Sequence, residues 1–179
     1  MLNHTPYDFI LDLINVSRPG FSAERIHTKM TKTFTNVIDH ILTKISYKPF
    51  FIEVSTAQIY DPNGKPANEQ SNIKPSTIAA KAKWVCEQYL QEKIKSDGLR
   101  ACILRPSIVY GPGDIQSISP RLCCAAVYQY TKEEMEFLWT KNLAINTVHV
   151  TDVCRAITWV AQYNNHCCHK IYNLSDAGN

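Results

Sequence analysis

The sequence lacks most of the patterns that quickly assign a chain to a class. It holds six glycines in 179 residues. None are grouped in the G-x-x-G-x-x-G manner that lets backbone amides wrap a pyrophosphate at a helix start. Gly111-Pro112-Gly113 comes nearest, but Pro112 removes an amide donor and no helix follows at once. The apolar runs, such as Phe9 to Leu11 and Ile103 to Leu104, fall far short of the roughly 20 residues of a membrane helix. Met1-Leu2-Asn3-His4 has neither the basic start nor the apolar continuation of a signal peptide. Charge of one sign is nowhere concentrated, and a net charge of +3 is too small to call for nucleic acid. The expectation is a soluble, cytoplasmic protein with neither a nucleic-acid nor a membrane partner.

What remains is ordinary globular material, 45% hydrophobic and 20% charged, enough to bury a core. The length suits a single domain over residues 1–179. Seven cysteines are an odd number, and several stand beside Val, Ile and Ala, where a free thiol acts as a small hydrophobe. That favours a reducing compartment over a disulfide framework. His166-Cys167-Cys168-His169 has adjacent cysteines rather than zinc-ligand spacing. It is read as a surface turn before a last strand, and no metal is expected.

Strand and helix patterns alternate along the chain. Tyr7 to Val16 reads as an apolar strand ended by Ser17-Arg18-Pro19-Gly20. Ile26, Met30, Phe34, Val37, Ile38, Ile41, Leu42 and Ile45 then recur at helical spacing, with Ser22 as a candidate cap. Phe50 to Val54 predicts a second strand, and the loop from Asp61 to Pro75 carries the turn signal Pro62-Asn63-Gly64. A long helix is predicted from Ser76 to Ile94, stopped by Asp97-Gly98, followed by a strand from Arg100 to Leu104. Pro120 to Tyr130 predicts a helix, Ile145 to Val150 a short strand, Thr151 to Tyr163 a helix capped by Thr151 or Asp152, and Lys170 to Leu174 a last strand. Such alternation implies an α/β fold with a parallel sheet and helices on both faces. Ligands of such sheets sit outside the carboxyl ends of the strands.

Polar clusters fall at those ends. Ser55-Thr56-Ala57 follows one strand, and Arg105-Pro106-Ser107 with Tyr110 to Gly113 follows another. Thr77 and Lys81, four residues apart, share a face at the opening of the long helix. A lysine there can bind a ribose hydroxyl and lower the pKa of a neighbouring acid. Taken singly, Thr56 is equally well a strand-end cap and Lys81 a solvated helix residue.

Together these segments resemble the extended short-chain dehydrogenase/reductases, the NAD-dependent epimerase/dehydratase family. Val54 to Tyr60 is similar to that family's strand end with Ser or Thr before an alanine, which implies Thr56 as the catalytic hydroxyl beside Ser55. Lys81, on a helix running to Glu87, looks like the lysine of a Tyr-x-x-x-Lys motif. Leu104 to Gly113 is close to the family's LRPxxVYGPG loop, which implies Pro106 beside the nicotinamide, and Val148 to Val153 resembles its HVxDV element. The resemblance implies a Rossmann-type sheet, NAD or NADP as cofactor, and a sugar-nucleotide or other alcohol/carbonyl substrate. Ser55, Lys81 and Pro106 would contact the cofactor. A homodimer through helices 22–45 and 76–94 is also implied, as is a small substrate-side region at about 112–145.

Two departures qualify the chemistry. The family's tyrosine, four residues before its lysine, is replaced by Thr77 on this reading, and an aliphatic hydroxyl is too weak an acid to serve as a general base near pH 7. The glycine-rich turn has no counterpart, and the chain begins near the family's fourth strand, so the fold is expected to be incomplete. Tyr60 and Tyr110 read as packing residues. Three readings follow: a catalytically impaired pseudoenzyme that retains the family fold, an active oxidoreductase or epimerase, and an α/β interaction domain without enzymatic activity.

Overall fold

Chain segments that are apolar on both sides and separated by helices assemble into buried parallel sheets. The computed structural model describes residues 7–15, 22–62, 66–136 and 145–177. The chain opens with β1 (Phe9–Asp12), α1 (Ala23–Lys44) and β2 (Phe50–Val54), then a short 3-10 turn at Ala57–Ile59, and continues with α2 (Ile78–Asp97) and β3 (Ala101–Pro106). There follow β4 (Ile108–Tyr110), α3 (Ser119–Thr131), β5 (Thr147–His149), α4 (Val150–Gln162), α5 (Asn164–Cys167) and β6 (Ile171–Leu174). The main sheet has four parallel strands in the order β1-β2-β3-β6, and β4 pairs with β5 in a separate parallel ribbon.

Helices α1 and α2 cover one face. Phe34, Ile38 and Ile41 of α1 and Cys86 and Leu90 of α2 pack on Phe51, Ala101 and Ile103. Phe34 meets Phe51 edge-on at 5.8 Å between ring centroids, and each such buried side chain contributes about 1.5–3 kcal/mol of transfer free energy. On the other face Val160 and Cys167 pack on Phe50, Ile52, Cys102 and Leu104. The sheet is therefore an α/β sandwich of the Rossmann type, with helices on both sides.

Local chemistry sets the element ends. Ser22 accepts the Arg25 amide at 3.3 Å to start α1, and Thr77 accepts the Ala80 amide at 3.1 Å to start α2. Gly98 closes α2 at φ +64°, the left-handed conformation that favours glycine. Gly111 is required twice over. Its φ is +126°, and a Cβ there would lie 2.8 Å from His149 Nε2 and 2.9 Å from Val150 Cγ1. The glycine after β4 thus lets the loop close onto the end of β5.

Several boundaries differ from the sequence expectation. The first strand is limited to Phe9–Asp12 because the Asp12 side chain accepts the Ile14 amide at 2.9 Å and turns the chain; Val16 and residues 17–20 lie outside the described residues, as do Asn63 and Gly64. The cap of α4 is His149, whose Nδ1 accepts the Thr151 amide at 3.2 Å, rather than Thr151 or Asp152. His166 to His169 is a surface turn only in its second half: His166 and Cys167 close α5, with Cys167 buried in the second core cluster, and Cys168-His169 turn into β6. β4 was not expected, since Pro106 ends β3 and hides the strand that follows. Of the suggested substrate-side region, residues 137–144 lie outside the described residues. All seven cysteines are free, and no described helix is long and apolar enough to cross a membrane.

Candidate functional site

Alternation along the strands decides which side chains meet α2. Phe51 and Ile103 face that helix, so Glu53 and Arg105, two residues on, face it too. Ile10 packs in the same cluster, and Asp12 is the register partner of Glu53. Three adjacent strands therefore carry charged residues toward the opening turns of α2 at their carboxyl ends. Beside them lies a cavity of about 390 Å³, walled by the strand ends (Ser55, Thr56, Pro106, Ser107), by Ala79, Ala80 and Lys83 of α2, and by Asp114 and Ser117 of the following loop.

The lysine at this cavity is Lys83. Its Nζ donates to Glu53 Oε1 at 2.8 Å and to the Val54 carbonyl at 2.8 Å. Lys81 is exposed and does not line the cavity. The lysine on the cavity wall thus stands two residues beyond the one the motif reading chose, which is half a helical turn and the opposite face. The buried face of α2 runs through Ala80, Lys83, Glu87 and Leu90. That spacing was the signal in the sequence, masked by a lysine at each end of the pair. Thr77 caps the helix and does not line the cavity; four residues before Lys83 stands Ala79, which does.

The environment of Glu53 is unusual. It is completely buried, and its Oε2, like Oδ2 of Asp12, receives no hydrogen bond. Burial pushes the Glu53 carboxyl well above its ordinary value, Lys83 pulls it back, and the adjacent Asp12 carboxyl pushes it further up. One turn along α2, Glu87 is paired with Arg105, with Nη2 to Oε2 at 2.6 Å and Nε to both oxygens at 3.1 and 3.2 Å. Arg105 also donates to the Tyr60 hydroxyl at 2.6 Å, and that hydroxyl donates to Asn173 Oδ1 at 2.8 Å. Burial opposes the Arg105 charge, but its hydrogen bonds to Glu87 and Tyr60, together with the Glu87 charge, hold the guanidinium above its ordinary value.

The remaining sequence candidates divide. Ser55 is buried with its hydroxyl unpartnered, and so is the hydroxyl of Ser107; both residues line the cavity beside Pro106. Thr56 lines it as well, although its hydroxyl accepts the Gln58 amide at 3.2 Å. Tyr60 and Tyr110 do not line it: the first is held by Arg105, and the second lies edge-on to His149 at 5.2 Å. Motif reading did not single out Lys83 and Ser107 on the cavity wall, nor Asp12 and Glu53 behind Lys83.

A sheet of this topology with a cavity beyond its strand ends defines a Rossmann-type ligand-binding protein. The sequence matches the NAD dependent epimerase/dehydratase family over residues 2–175, and the chain belongs to that family. No curated protein sequence matches it. Among solved structures, it is similar to UDP-glucuronic acid 4-epimerase from Bacillus cereus in complex with NAD, with a TM-score of 0.78 and 15% identity, covering 94% of this chain and 54% of that one. RMD from Pseudomonas aeruginosa complexed with NADPH gives a TM-score of 0.76 and 17% identity, covering 94% and 60%. UDP-glucose 4-epimerase from Thermotoga maritima with UDP-glucose gives 0.75 and 20%, covering 94% and 55%. The chain spans little more than half the length of these structures.

Proposed function

We infer that the chain forms the nicotinamide side of an NAD(P) site of the epimerase/dehydratase kind, and that the family's tyrosine-based proton transfer is lost in it. The observation that carries this reading is the cavity at the carboxyl ends of β1, β2 and β3, with Lys83 and Ala79 on one wall. A spacing of four is that of the Tyr-x-x-x-Lys motif, so with Lys83 as its lysine the tyrosine position is Ala79. A methyl group can neither take nor give a proton.

The residues fit the nicotinamide end of the cofactor. Ser55 and Ser107 offer unpartnered hydroxyls, which suit ribose hydroxyls or a carboxamide. An ammonium has three donors, and Lys83 spends two of them on Glu53 and Val54, leaving one for the cavity. Pro106 supplies an apolar wall. The pyrophosphate end has no glycine-rich turn to receive it in this sequence. Binding by this chain is therefore weak. When bound, the nicotinamide supplies a hydride acceptor or donor, and Thr56 is placed to meet the oxygen of an alcohol or carbonyl substrate. Sugar nucleotides are the favoured substrate class, since the similar structures include epimerases of UDP-sugars.

NMR of the full chain with millimolar NADH or NADPH tests this reading. The expected outcome is affinity weaker than micromolar, with resonance shifts at Ser55, Ala79 and Ser107. Shifts that leave these residues untouched, or micromolar and tighter binding, contradict it.

A further inference from the structure

We propose that Lys83, Glu53 and Asp12 act as one proton-handling group in place of the missing tyrosine, with Lys83 Nζ meeting the substrate oxygen and the two carboxyls beneath it storing the proton. The proposal rests on the nicotinamide site inferred above and names what would serve it as acid and base.

Geometry carries it. Lys83 is the member on the cavity wall, and its Nζ sits 2.8 Å from Glu53 Oε1. Glu53 and Asp12 are register partners at the ends of neighbouring parallel strands, with 0% and 6% of their surface exposed. Each keeps one oxygen that no donor among the described residues reaches. Two buried carboxylates side by side with two orphaned oxygens are a costly arrangement. A single proton held between them removes both faults and leaves one negative charge opposite one ammonium. The group has few other charged neighbours. Cys86, on the same helix, has its thiol pushed up to about 12, chiefly by burial, and so stays neutral. Glu87 is tied to Arg105.

The step balances. Starting from ammonium and singly protonated dyad, the substrate alcohol breaks its O–H bond and gives the proton to Lys83 Nζ as a lysine proton moves to Glu53 Oε1. Lysine keeps its charge and the dyad becomes fully protonated. The hydride leaving the same carbon with its electron pair would be taken up by an oxidised nicotinamide held against Ser55, Ser107 and Pro106. In the reverse direction the dyad returns its proton through Lys83 to the carbonyl oxygen. An epimerisation uses both directions, which suits a store that is closed to water.

Infrared titration of the full chain tests the store without any cofactor. The carbonyl stretch of a protonated carboxyl is expected to persist at neutral pH and to vanish in Glu53→Gln. In Asp12→Asn it should titrate at lower pH, because a neighbouring negative charge is gone. A spectrum with every carboxyl ionised at neutral pH overturns the proposal. Stability gives a second reading. A carboxyl held above its unfolded value, near 4.5, contributes stability that is full below that pH and is lost as pH rises toward the folded value. The urea midpoint of the wild type should therefore fall as pH rises above about 4.5, and that of Glu53→Gln should fall less. With NAD(P) and an alcohol present, Lys83→Met should lose about 100-fold or more of any hydride transfer, and Glu53→Gln should displace its pH profile. Nicotinamide binding with an ordinary carboxyl titration removes this proposal alone. A high-titrating carboxyl without nicotinamide binding removes the inferred function and the catalytic use of the group with it.

Discussion

Two buried ion pairs join α2 to the sheet one helical turn apart, and they are built differently. Arg105 and Glu87 satisfy each other completely: both Glu87 oxygens accept from the guanidinium, and its remaining reach is taken up by Tyr60 and the Glu69 carbonyl. Lys83 and Glu53 share one hydrogen bond, Glu53 keeps an orphaned oxygen, and Asp12 is pressed against it. The first pair has no opening to the cavity, and the second reaches it through Lys83. A satisfied buried network fixes a single arrangement of strands and helix. An unsatisfied one holds free energy that a proton or ligand can release. The same helix thus carries a structural clamp and, one turn earlier, a group with chemistry to spare.

Breaking the clamp should do the most damage. Arg105→Met leaves Glu87 buried without a partner and takes a donor from the Tyr60 hydroxyl, which anchors Asn173 of β6. A loss of about 3–5 kcal/mol is expected, read as a fall in the urea midpoint at unchanged slope. A loss below about 1 kcal/mol would mean that the two pairs are energetically alike and that the contrast between them is empty.

Lys83→Met is the matching change in the open pair and should cost less, about 1–3 kcal/mol. Glu53 already sits well above its ordinary value with Lys83 present, so losing the lysine lets it take a proton instead of remaining a buried anion. The penalty should accordingly be smallest near pH 5 and grow as pH rises, because the unfolded chain ionises there while the folded carboxyl does not. Denaturant titrations at several pH values check this. A penalty that does not change with pH would show that Glu53 is ionised in the fold with and without Lys83.

The contrast also explains how far the sequence could be read. The α/β order, β2, the caps at Ser22 and Thr77 and the turn at Gly98 follow from short-range chemistry, so they were legible. Ser55, Thr56 and Pro106, which line the cavity, could be proposed because ligands of this topology sit at strand ends. Asp12 and Glu53 were not, since each stands in an apolar strand and looks like an interruption of it. Their meaning comes from the register that sets them side by side across β1 and β2, and register is a tertiary fact. His149 as a cap and Cys167 as a core residue escaped for the same reason.

Lys81 and Lys83 offer the finest test, because they differ by half a turn of one helix. The sequence alone gives Lys81 the better motif surroundings, with a hydroxyl residue four positions earlier. In the fold Lys81 is exposed, while Lys83 is 6% exposed and bonded on two sides. Lys81→Ala should therefore change stability by no more than about 0.5 kcal/mol, as surface substitutions usually do. It should also leave the NADH-induced shifts at Ser55 and Ser107 as they are in the wild type. If Lys81→Ala weakened those shifts and Lys83→Met did not, the helix would be working from its solvent face, and the motif would have to be read from Thr77 after all. The two variants compared in one NMR titration decide which lysine faces the ligand.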